Sequence, residues 1–123
     1  MIAAAILLAA TPLPAPVIPL AAARSAAYRD CIASERKGRS GAEAGAIGRG
    51  TCARERSKLA GQVYKNLSHG WAATAKTSGQ ARRLRAQLKA RTEAEVAGFE
   101  AKVRAWLAAA GAAHARQSGA SAR

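Results

Sequence analysis

The sequence predicts an all-α fold, a disulfide-stapled helical hairpin beside one long amphipathic helix. Apolar residues recur at helical spacing, no segment alternates as a strand would, and two cysteines stand as a separated pair. Alanine, the best helix former, supplies 35 of the 123 residues. It buries little area, so the core is expected to be thin. After Ala23 the larger apolar side chains are few, among them Tyr28, Ile32, Ile47, Leu59, Val63, Tyr64, Leu84, Leu88, Val96, Phe99, Val103, Trp106 and Leu107. A core of that size calls for a staple or a partner.

Residues 1–23 hold no Lys, Arg, Asp, Glu or His and end in Ala21-Ala22-Ala23. All 20 basic and all 7 acidic side chains follow, for a net charge of +13. Ile2 to Ala10 forms an apolar run of the length of a signal-peptide h-region, although Met1 alone stands where a basic n-region is usual. Ala21 and Ala23 supply the small side chains a signal peptidase recognises. This pattern reads as a signal peptide over 1–23, a helical domain over 24–111 and a disordered basic tail over 112–123. The expected location is the bacterial periplasm or the medium, after cleavage near Ala23. Four prolines between positions 12 and 19 argue against an uncleaved spanning helix. A disordered leader on a cytosolic chain is the remaining alternative.

Export permits oxidation, and an even cysteine count then favours a Cys31–Cys52 disulfide, stabilising by about 3 kcal/mol. Two free thiols, or a metal held with His69 and His114, are the alternatives. Zinc sites bring their ligands in closely spaced pairs, which these positions do not offer. No metal or cofactor is expected.

Along the chain, a first helix is expected from Leu20 or Arg24 to Lys37, broken by Gly38-Arg39-Ser40-Gly41. Ser40-Gly41-Ala42-Glu43 has capping-box form, so a second helix should start near Gly41 and run to Leu67. Ile47, Cys52, Leu59, Val63 and Leu67 lean to one side of it, while Gly45, Gly48 and Gly50 weaken its first turns. A turn near residue 39 would set Cys31 and Cys52 on facing flanks of the hairpin. Ser68-His69-Gly70-Trp71 reads as a connector, and Thr77-Ser78-Gly79-Gln80 offers another capping box. From Gly79, a stripe of Leu84, Leu88, Thr92, Val96, Phe99, Val103, Trp106 and Ala110 marks one long helix, with Gly111 suited to follow its end.

Catalysis finds little material. The histidines fall in a connector and an expected tail, and Glu93, Glu95 and Glu100 read as helix solubility, with Glu100 to Arg104 a favourable i,i+4 pair. No enzyme is expected. Gly45-Ala46-Ile47-Gly48-Arg49-Gly50-Thr51 resembles a phosphate loop in outline but lacks its lysine and preceding strand. Asn66-Leu67-Ser68 fits a glycosylation pattern that arises often by chance, and a bacterial source makes it idle.

The basic cluster Arg82, Arg83, Arg85, Lys89 and Arg91 stands out. It occupies the first turns of the third helix, where the macrodipole already presents positive charge. A solvated face is the ordinary reading of such a run. The functional one is an anion-binding strip for nucleic acid, anionic lipid head groups or lipopolysaccharide. Aromatics for base stacking are scarce, and Trp71 beside a basic surface suits a membrane interface.

Tyr28-Arg29-Asp30-Cys31, Cys52-Ala53-Arg54-Glu55-Arg56 and the leader together resemble small secreted, two-cysteine α-helical proteins of proteobacteria, over roughly residues 20–65. The L-T-x-x-Q signature of the periplasmic Spy-like chaperones is missing. So is the cysteine near the C-terminus that marks the lysozyme-inhibitor-like family. The resemblance implies location and architecture and transfers no functional residue. The expectation is therefore a non-enzymatic exported binding or structural protein of the cell envelope. Its basic surface would contact anionic envelope components or an acidic protein, and its thin core admits self-association. A small basic nucleic-acid-binding protein is the alternative if the leader does not direct export.

Overall fold

The computed structural model describes residues 13–36, 50–71 and 74–121, apart from the side chains of Arg36 and of residues 112–121. Three helices carry the structure: α1 (Ala22–Arg36), α2 (Ala53–Ser68) and α3 (Ser78–Ser121). No strand occurs among the described residues, so the all-α expectation holds.

Residue pairings set the topology. Leu20 meets Asn66 while Cys31 is bonded to Cys52, so α1 and α2 run antiparallel. Arg56 reaches Glu100, and Tyr64 lies with Leu84 and Leu88 along one cleft, so α3 returns antiparallel to α2. The result is an up-down-up arrangement with α2 packed against both neighbours. At a rise of about 1.5 Å per residue, α3 spans roughly 65 Å and α2 roughly 24 Å. α3 therefore outruns its partners.

Each helix contributes one stripe to a single core. α1 buries Ser25, Tyr28 and Ile32, α2 buries Leu59 and Val63, and α3 buries Leu88, Thr92, Val96, Phe99 and Val103. The stripe expected on α3 is thus the buried face, save at its ends: Leu84 is half-buried and Ala110 exposed. Thr92 satisfies its hydroxyl within the helix, donating to the Leu88 carbonyl at 2.7 Å. The Tyr28 and Phe99 rings meet at 6.2 Å between centroids.

The staple is present. Cys31 and Cys52 form a disulfide with their Cα atoms 6.0 Å apart, as the two-cysteine reading expected. Cys52 is fully buried and precedes the first residue of α2.

Several boundaries differ from the sequence expectation. α2 begins at Ala53, after a turn at Gly50-Thr51-Cys52, because glycine and threonine resist helix and the disulfide fixes residue 52. The expected start at Gly41, the Ser40 capping box, Ile47, Gly45 and Gly48 lie outside the described residues. α3 does not stop at Gly111 but continues to Ser121. The alanines on either side are strong helix formers, and Gly111 keeps ordinary helical backbone instead of the left-handed cap conformation.

The start of α3 follows its capping signal. The Gln80 amide donates to Thr77 Oγ1 at 3.1 Å, and the Gln80 side chain accepts from the Lys76 amide at 2.9 Å. This is the T-x-x-Q box with its return bond made one residue earlier. α2 ends at Ser68, and the turn after it carries Gly70, whose φ of +84° is a conformation that L side chains rarely adopt. Trp71 follows, exposed, with its amide on the Ser68 carbonyl.

The segment before α1 is part of the packing. Pro19–Ala21 forms a 3₁₀ turn that leads directly into α1 at Ala22, and Ala21 lies in the core. The boundary placed near Ala23 thus falls in the first turn of a helix.

Candidate anion-binding surface

Two assemblies of polar side chains deserve separate accounts, one inside the bundle and one outside. The inner one joins all three helices. Tyr28 on α1 donates its hydroxyl to Glu100 on α3 at 2.5 Å. Arg56 on α2 donates to both oxygens of Glu100, at 3.2 and 3.4 Å, and to Glu93 at 3.1 Å. Glu100 is buried and Glu93 exposed.

Burial, together with the adjacent Glu100 carboxylate, pushes the Tyr28 phenol well above its ordinary value. Burial opposes the charge on Arg56, but its hydrogen bonds to Glu100 and Glu93 raise it above the usual guanidinium range. Among the described residues no buried side-chain nitrogen or oxygen lacks a hydrogen-bond partner. The group is a largely buried clasp with Glu93 at its exposed edge.

This clasp corrects the reading of Glu100 as a solubilising surface residue. Its position was legible: Glu100 falls four after Val96 and three before Val103, inside the buried stripe. Arg56 likewise sits three before Leu59, and Tyr28 three after Ser25 and four before Ile32. Glu95 is exposed, as a solubilising residue would be.

The outer assembly is the α2–α3 hairpin end. Arg82, Arg83, Arg85, Lys89 and Arg91 are all exposed on α3. At about 100° per residue, Arg82, Arg85 and Lys89 share a sector of roughly 60°, while Arg83 and Arg91 point to other sides. The cluster therefore wraps the helix, and only three of its members form a strip. That strip runs beside Leu84 and Leu88, which line a cleft with Tyr64 of α2.

The cations extend past the cluster. Residues 57–92 contain Lys58, Lys65, Lys76 and the five of the cluster, and no Asp or Glu. All eight are exposed, and none stands in an ion pair among the described residues. The described acids, Asp30, Glu35, Glu55, Glu93, Glu95 and Glu100, belong to the segments on either side. Charge is thus segregated along the molecule.

Helix ends shape this region. The N-terminal dipole of α3 disfavours its cations, whereas the C-terminal dipole of α2 favours Lys65 and Arg85, which lies with Ser68 at that end. Two shallow clefts open here. One, of about 300 Å³, is lined by Trp71, Thr74, Gln80, Arg83 and Leu84; the other, of about 280 Å³, by Tyr64, Ser68, Leu84, Arg85 and Leu88. Apolar, aromatic and cationic groups meet at both.

His69 is exposed in the connector, and the His114 side chain lies outside the described residues. With both cysteines bonded, the alternative of a cysteine–histidine metal site is closed. Among the described residues no helix is long and apolar enough to cross a membrane. No protein-family model, curated protein or solved structure matches this chain.

Proposed function

We propose that this chain is an exported, non-enzymatic binding protein of the bacterial cell envelope, and that its α2–α3 end docks on anionic lipid head groups. One observation carries the reading: eight exposed cations and no acid over residues 57–92. A surface of one sign attracts anions over a Debye length of about 8 Å at physiological salt. Each cation near an anionic leaflet contributes about 1 kcal/mol. Trp71, 41% exposed at the same end, supplies an amphipathic ring of the kind that settles at the head-group level.

The disulfide supports the envelope location, since such bonds persist in oxidising compartments.

The test is binding to phosphatidylglycerol vesicles across salt, using Arg82→Gln, Arg83→Gln and Arg85→Gln together. Loss of three contacts of about 1 kcal/mol each should weaken binding roughly 100-fold and flatten the salt dependence. Unchanged affinity, or tighter binding to duplex DNA than to the vesicles, would overturn the reading.

A further inference from the structure

We infer that residues 16–23 are a permanent part of the folded domain, and that export processing leaves them attached. Ala21 is then a core residue, Ala22 and Ala23 are the exposed start of α1, and the mature N-terminus lies at or before Pro16. The inference rests on the export reading and excludes a cut after Ala23.

Four contacts tie the segment down. The Ile18 amide donates to Ser25 Oγ at 3.0 Å, and Ser25 is fully buried. The Leu20 carbonyl accepts from Asn66 Nδ2 on α2 at 2.9 Å, and the Pro16 carbonyl accepts from Arg29 on α1 at 3.1 Å. Ala21 is 5% exposed and belongs to the same apolar core as Tyr28, Val63 and Phe99, with Ile18 packed against it. Val17, Ile18 and Pro19 also form one wall of a cleft of about 320 Å³ whose other wall is Glu95, Gly98, Phe99 and Lys102 on α3. The segment therefore touches all three helices.

Cleavage after Ala23 would remove this whole set. It would strip Ser25 of its partners and the Asn66 amide of its acceptor, open the core beside Ala21 and cut α1 within its first turn. A peptidase acting during export meets the chain unfolded, so burial itself does not block the cut. What burial shows is that a chain beginning at Arg24 lacks part of its own core. Within this charge-free stretch Ile18 and Ala21 serve packing, while Leu13, Val17 and Leu20 stay exposed.

Two full-length variants expressed in a bacterial host test this. Ala23 is exposed, so Ala23→Leu leaves the fold intact while placing a bulky side chain beside the supposed cut. The expected mature N-terminus in the envelope fraction, read by intact mass, is at or before Pro16 and does not move in this variant. Ile18→Ala should appear in the mature protein and lower its unfolding midpoint by several degrees. A mature chain starting at Arg24, from which residue 18 is absent, would overturn the inference and leave export standing. An intact chain confined to the cytosol would overturn the export reading, and the inference with it.

Discussion

Tyr28, Arg56 and Glu100 occupy positions that helical register reserves for apolar side chains, and they meet there as one hydrogen-bonded group. Burying such groups is costly unless each is satisfied, and breaking the set is costlier than forming it is favourable. Tyr28→Phe should lower unfolding free energy by about 1–2 kcal/mol, and Glu100→Ala, which strands Arg56 with only the exposed Glu93, by about 3 kcal/mol in urea titrations. Equal, near-zero costs would contradict the clasp. Alkaline pH gives a second check. The folded phenol holds its proton above the ordinary value near 10, so stability is full below that pH and falls above it as the unfolded chain ionises. Wild-type stability should therefore decline more steeply above about pH 10 than that of Tyr28→Phe. Spacing alone placed these residues on the buried faces, yet their charge read as surface. Nothing local shows which cation a buried carboxylate will meet, because Arg56 lies 44 positions from Glu100.

At the scale of elements, local chemistry predicted much and long-range packing decided the rest. Thr77 and Gln80 capped α3 as their types and spacing implied, and the stripe from Leu88 to Val103 became its buried face. Composition misplaced one helix end, since Gly111 looked like a stop but has helix on both sides. Ile18 and Ala21, inside the stretch that reads as a leader, pack with the core of Tyr28, Val63 and Phe99. Charge-free sequence is shared by leaders and by core, so the pattern could not separate them. The disulfide was legible from cysteine count and location together. Replacing Cys31 and Cys52 with Ser should cost about 3 kcal/mol of unfolding free energy. Gly70→Ala should cost about 1 kcal/mol, because its φ of +84° is strained for any other residue. A Gly70→Ala protein as stable as wild type would show that the α2–α3 turn does not need that conformation.

For the whole molecule, the consequence of this architecture is polarity. A bundle with a polar clasp in its interior presents eight exposed cations and Trp71 along residues 57–92, with the described acids in the segments on either side. The five clustered residues were visible in the sequence; the acid-free sweep from 57 to 92 matters more than the cluster, and only the antiparallel pairing of α2 and α3 brings its two halves to one end. Trp71 reports on that end directly. In a Trp106→Phe protein it is the sole tryptophan, so its fluorescence can be followed alone during titration with phosphatidylglycerol vesicles. The predicted result is a blue shift and protection from aqueous quencher that salt reverses, with no change on phosphatidylcholine vesicles. Unshifted, fully quenchable Trp71 emission at saturating anionic lipid would contradict docking through the α2–α3 end.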